Sequence, residues 1–245
     1  MRMQYLMIAL ALTAGMATAQ KAKSNKEIEA VNAIATAQTP DDRINAVENL
    51  LSKYKDTEFK AIALSQAAQA AQAKGDQIAG INYANRAIEA DKNNYQALIV
   101  LGQLSVQGVR EFDLDKDEKL ARATKASNDA LTALKSAQKP NPKLSDDQWN
   151  GIRKDYEASA HETLGLVASV QKKYDVAVAE YKIALEDAPD ATTMVRLASA
   201  YDDSGKYDDA TALLDKVAAS TAPDAVKKVA LSEKQRAEKM KAAKK

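Results

Sequence analysis

The sequence predicts an all-α fold: antiparallel helix hairpins stacked into a solenoid. Three observations predict it. Apolar residues recur at helical spacing, and no stretch alternates as a strand would. Helix breakers are sparse, with five Pro and eight Gly in 245 residues, which suits long helices. A pattern of small and large residues also returns every 33 positions, as expected when each unit of a chain packs on the one before it.

The chain opens with "MRMQYLMIAL ALTAGMATAQ". Arg2 gives a positive start, Leu6 to Ala14 is an uncharged and mostly apolar run, and Ala17-Thr18-Ala19 is a small-x-small cleavage pattern. These features predict a signal peptide at residues 1–19, removed before Gln20, and a periplasmic or secreted protein. A retained membrane anchor is the other reading. Thr13, Gly15 and Thr18 interrupt the run, and its apolar centre falls short of the ~20 residues that span a bilayer. With no Cys there is no acceptor for bacterial lipidation, no disulfide and no thiol chemistry. Residues 1–19 hold Arg2 and no acid, so the remaining chain carries 34 basic and 34 acidic residues. That balance argues against nucleic acid, which usually calls for a basic surface.

The helices follow in order. Thr39, Pro40, Asp41 and Asp42 read as N-cap, first helical proline and dipole-facing acids, ahead of the stripe Ile44, Val47, Leu50, Leu51, Tyr54. Asp56 is the expected cap of the next helix, which carries Phe59, Ile62, Ala63, Ala67 and Ala71 and stops at Gly75. A third helix is expected from Ile78 to Ala90, broken by Asn93-Asn94. Ser145 with Gln148 three residues on forms a capping box at the start of a long helix.

The repeat shows best between Glu162 and Pro189. Gly165, Ala177, Tyr181 and Ala184 are separated by twelve, four and three residues, and so are Ala198, Ala210, Leu214, Val217 and Ala68, Gly80, Ala84, Ala87. Two helices of a hairpin approach closely only where a side chain is tiny. Gly165 is therefore expected to face Ala177, with Tyr181 filling the adjacent space. A split copy has Leu98, Leu101 and Gly102 in its first half and Ala130, Leu134, Ala137 and Pro142 in its second, with about sixteen extra residues near Arg110–Lys125.

These residues resemble a tetratricopeptide repeat (TPR): Leu164, Gly165, Tyr174, Ala177, Tyr181, Ala184 and Pro189 all lie on that family's pattern, while His161 and Ala168 depart from it. "LLSKYKDTEFKAIAL" is similar to the repeats of outer-membrane assembly lipoproteins, without their proline. The resemblance implies a right-handed superhelix over residues 20–223, with repeats near 61–94, 95–142 (insertion 110–125), 158–190 and 191–223. Residues 224–245 are then a capping helix and a basic tail that could touch anionic lipid. By family habit such a chain is a scaffold holding a protein or peptide in its concave groove. Carrying the pattern across residue by residue, the first helices of the hairpins supply Ser65, Gln69, Gln72, Ile99, Gln103, Val106, Glu162, Leu166, Ser169 and Val195 as groove candidates. This set lacks the Lys and Asn array with which chaperone-binding members hold a carboxylate, so an extended peptide or a partner helix suits it better.

The remaining constellations point to structure rather than chemistry. Asp113, Asp115 and Asp117 have the spacing of a Ca²⁺ loop, but Glu118 and Thr124 stand where Gly and a bidentate Glu are required. His161 is the only His, and no hydrolase, zinc, P-loop or dinucleotide pattern accompanies it, so it is expected to pack between helices. Trp149 with Tyr156 reads as a staple onto the previous hairpin or as an exposed aromatic for a partner. The insertion, with Phe112 among acids, either folds over a groove rim or extends the following helix from near Asp115. No cofactor, metal or small-molecule substrate is expected. The function predicted is a non-enzymatic exported scaffold; the alternatives are a structural component of an envelope-assembly or polymer-export complex, and an enzyme.

Overall fold

The structure is a computed structural model that describes residues 22–243. The expected signal segment, 1–19, lies outside the described residues. Among them are eleven α-helices and no strand: α1 (Asn25–Thr36), α2 (Pro40–Lys53), α3 (Lys60–Ala73), α4 (Gln77–Ala90), α5 (Tyr95–Val106), α6 (Lys116–Ser136), α7 (Asp146–Val170), α8 (Tyr174–Asp187), α9 (Ala191–Asp203), α10 (Tyr207–Ala219) and α11 (Asp224–Ala243). They divide between two compact units. One runs to Gly108 and adds Asp117–Tyr156; the other joins Val109–Lys116 to the chain from Glu157 onward.

Helices pack on their successors, and α3 packs on both α4 and α5 as α9 does on α10 and α11. That is the neighbour-to-neighbour pattern of a helical repeat. In the first unit Val31, Ile34, Val47 and Leu50 form one core and Leu64, Val100 and Leu104 another. In the second unit Tyr181 and Leu197 form one core and Val195, Leu214 and Val217 another.

The hairpin turns repeat as faithfully as the cores. Gly75, Lys172 and Gly205 each have positive φ (76°, 60° and 80°). In each turn two N–H groups reach back to the helix end: Gly75 to Gln72 O and Asp76 to Ala71 O, Lys172 to Ser169 O and Lys173 to Ala168 O, Gly205 to Asp202 O and Lys206 to Tyr201 O. This arrangement satisfies carbonyls that a helix end leaves open. Lys172 accepts a conformation that costs a non-glycine residue roughly 1–2 kcal/mol.

Polar contacts carry the same period. Asn94 Nδ2 donates to Ala61 O (3.2 Å), 33 residues back. Gln72 Nε2 donates to Gln103 Oε1 (2.9 Å) across 31 residues, and Lys206 Nζ meets Asp175 Oδ1 (3.2 Å) across 31. Lys74 pairs with Asp41 and Arg236 with Asp203, both across 33. Each of these contacts joins positions about one repeat apart, as stacked hairpins require.

Thr39 caps α2, accepting from Asp42 N, and the Ser145–Gln148 capping box forms in both directions (3.1 and 3.0 Å). One expectation is corrected and two details are added. Asp56 does not cap a helix: α3 starts at Lys60, and the turn before it is held by Thr57 Oγ1, which accepts from Phe59 N (3.2 Å). Gly165 is met first by Tyr181, the residue expected only beside it. A Cβ placed on it would lie 2.5 Å from Tyr181 Cε1 and 2.7 Å from Cδ1. The glycine thus makes room for the ring itself. Helix α1 has no counterpart among the expected helices. Its signal is Ser24 followed by Glu27: Ser24 Oγ accepts from Glu27 N (3.2 Å), while the Glu27 carboxylate turns to Lys23 N (2.5 Å).

Asp202 is 5% exposed, and its carboxylate meets Arg236 Nε at 3.3 Å. Burial holds its carboxyl above the ordinary range, although Arg236 pulls it down. The charged form is therefore the disfavoured one in the fold, so this group lowers stability as pH rises from the ordinary carboxylate range to its raised value, and the cost is absent below that ordinary range. Asp202→Asn is expected to leave the melting temperature at pH 7 unchanged or higher, because Arg236 keeps Asp203 and Glu233. A clear drop in a calorimetric scan would show that the Asp202 charge stabilises.

Candidate partner-binding surface

The predicted groove residues fall into two groups, one in each unit, and each group must be taken by itself. In the first unit they lie on α3 and α5. Ser65 is fully buried, its hydroxyl donating to Ile62 O (2.8 Å) and lying 3.3 Å from Gln96 Oε1. Ile99 is buried with Leu98, Ala130 and Ala133, and Val106 is 6% exposed. Ser65, Ile99 and Val106 are therefore withdrawn as partner contacts: their side chains are used up inside the fold. Gln69, Gln72 and Gln103 remain half-exposed.

The glutamines are not idle. Gln96 Nε2 donates to Tyr156 OH (2.9 Å), and Gln77 Nε2 donates to Leu104 O (2.6 Å) and Gln107 O (3.2 Å). The Gln72–Gln103 bond uses one donor and one acceptor of four available groups. It leaves the Gln72 carbonyl oxygen and N–H capacity on Gln103 at a half-exposed position. That is the hydrogen-bonding character of a peptide group.

In the second unit Glu162, Leu166 and Ser169 lie on α7, all half-exposed. Glu162 pairs with Arg196 of α9. Ser169 Oγ donates to Gly165 O (2.9 Å) and lies 3.3 Å from Tyr181 OH. Burial pushes the Tyr181 phenol up to about 12, against a lowering by Ser169, so it stays protonated. Val195 is buried and withdrawn with the others. His161 Nδ1 meets Glu180 Oε2 at 2.7 Å and ties α7 to α8.

Trp149 is 7% exposed, with Tyr95 at 6.4 Å between ring centroids; Tyr95 also meets Tyr156 edge-on at 5.0 Å. This is the staple, and it buries Trp149 while Tyr95 and Tyr156 stay half-exposed. In the insertion, α6 starts at Lys116, so most of the extra residues lengthen that helix. The preceding turn belongs to the second unit, where Glu111 meets Lys172 Nζ at 2.7 Å, and it exposes Phe112 (91%) and Leu114 fully. Asp113 Oδ2 accepts from Arg110 N (3.1 Å), and among the described residues no group of His, Cys, Asp or Glu converges to hold a metal ion. No described helix is long and apolar enough to cross a membrane.

A scan of known protein families finds no match, and a search among curated proteins finds none. Among solved structures, the chain is similar to a thermophilic TPR protein from Thermus thermophilus, with 20% identity, 89% of this chain and 98% of that one covered, and a TM-score of 0.54. It also matches a tetratricopeptide repeat protein from Parabacteroides merdae (14% identity, 88% and 90% covered, TM-score 0.40). A third match is the assembly chaperone of RpL4, Acl4 (14%, 89% and 99%, TM-score 0.46).

Proposed function

We propose that this chain, whose fold is TPR-like, is a non-enzymatic, exported scaffold that holds an extended segment of a partner protein. The observation that carries the reading is the Gln72–Gln103 pair, half-exposed and with donor and acceptor capacity in hand. An extended backbone offers the complementary N–H and C=O at every residue. In the second unit Glu162, Leu166 and Ser169 are the corresponding contacts. The fold likeness supports a binding role by analogy only. The exported location rests on the charged start, apolar run and Ala-x-Ala pattern of residues 1–19.

A crosslinking pull-down from the native envelope fraction tests the reading, comparing the natural chain with Gln72→Leu/Gln103→Leu. The substitutions keep volume and remove the amides. The variant is expected to lose at least about tenfold of its crosslinked protein, equivalent to ~1.4 kcal/mol, with an unchanged melting temperature. The recovered chain is expected to begin at Gln20 by intact mass. Full retention of the crosslinked partner by the variant would reduce the amide pair to internal packing. A recovered chain still carrying Met1 to Ala19 in the membrane would replace export of a soluble form with an anchor.

A further inference from the structure

Helix α11 has few and small buried anchors. Of its twenty residues only Ala230 and Ala237 are buried. Beneath it lie Val195, Leu214 and Val217, large side chains at 7%, 2% and 0% exposure. Two methyl groups, with half-buried Val226 at the helix start, cover that apolar face, and charge does the remaining holding. Arg236 reaches Asp202 (3.3 Å) and Asp203 of α9, Lys234 reaches Asp215 of α10 (2.6 Å), and Lys241 pairs with Asp208. Glu233 accepts from Ser199 Oγ (3.1 Å). The acids of these ion pairs stand on α9 and α10 and the bases on α11. Most of the pairs are well exposed, and exposed ion pairs are weak and screened by salt.

The sequence marks the same helix as a terminus. Leu231 stands 33 residues after Ala198, which itself follows Gly165 by 33. The small residue that admits a second helix is thus replaced by leucine, and Leu231 is 56% exposed.

We propose that α11 is a displaceable cap, and that the face of α9 and α10 beneath it is a docking site for a basic helix with small residues seven apart. Such a helix from another protein chain would present the stripe of Ala230 and Ala237 and an arginine equivalent to Arg236, and would compete with α11 for Asp203 and Asp215. The charge complementarity that seats α11 defines that occupant. This site is separate from the half-exposed amides of the first unit and stands or falls independently of them.

Two measurements on the full chain test it. Hydrogen exchange of the natural protein is compared at about 20 and about 500 mM NaCl, where the screening length falls several-fold. The α11 amides are expected to exchange at least about tenfold faster at high salt, with α9 and α10 unchanged. Equal protection at both salts, with α11 opening only when α9 and α10 open, would overturn the cap. The second measurement uses Arg236→Glu at low salt and a fluorescent peptide of residues 224–243. The variant is expected to bind the peptide while the natural chain, whose own α11 holds the site at an effective concentration of order mM, does not. A variant whose α11 has become mobile and which still refuses the peptide would overturn the docking site.

Discussion

A chain carrying Gly165→Leu is expected to melt at least about 10 °C below the natural protein, a loss of roughly 3 kcal/mol from the second unit. The first atom of any new side chain already lies too close: 2.5 Å to Tyr181 Cε1 and 2.9 Å to Cζ, where ordinary contacts begin above 3.4 Å. The ring cannot swing away. Tyr181 is 1% exposed, its hydroxyl lies 3.3 Å from Ser169 Oγ, and Ala168, Ala177 and Leu197 are in the same core. Leucine gains under ~1 kcal/mol over glycine as a helix former, too little to offset the overlap. Gly80 meets a softer neighbour, since its Cβ would strike Leu104 Cδ1, the mobile end of a side chain. A midpoint left unmoved by Gly165→Leu in a thermal melt would mean that Gly165 does not face the Tyr181 ring.

Much of this geometry was legible in the sequence because a repeat writes its packing several times. The intervals of twelve, four and three residues located the facing helices, and Thr39, Gly75 and Ser145 marked ends that the backbone respects. What stayed hidden has physical causes. The Gly165–Tyr181 contact depends on where a long side chain reaches, and spacing along a helix gives only which residues share a face. The groove pattern placed Ser65, Ile99 and Val106 by register, yet neighbouring helices cover them. The glutamines showed as a neutral stretch, but their pairing at 31 residues appears only once the hairpins are stacked. Helix α1 has just Val31 and Ile34 as fully apolar buried anchors, too few for a stripe to stand out. The charge-held seat of α11 could not be seen from its basic composition, because its acids come from α9 and α10.

Tyr181→Ala is expected to cost about 3–5 kcal/mol, the scale for emptying a buried aromatic site, and so to exceed every other single change considered. Tyr181 is the largest fully buried side chain among the described residues, and removing its ring leaves a void bounded by Gly165, which has nothing to fill it. The other repeats show how the same position is otherwise solved. Ala198 stands with Leu214 in one core, and Ala68 with Ala84 in another. In these two repeats alanine replaces the glycine of the first helix and a residue smaller than tyrosine stands on the second, whereas the split copy keeps Gly102 with Leu134. The pair should therefore be exchangeable as a pair. Gly165→Ala alone clashes with the ring, and Tyr181→Leu alone leaves a gap. The double variant recreates the Ala198–Leu214 combination and is expected to be more stable than the sum of the two single losses by ~0.5–3 kcal/mol. Denaturant unfolding of the four chains of this cycle measures that coupling. Additivity within ~0.5 kcal/mol would show that the two positions do not share one space, and that size matching across the hairpin is not what sets the repeat's small and large residues.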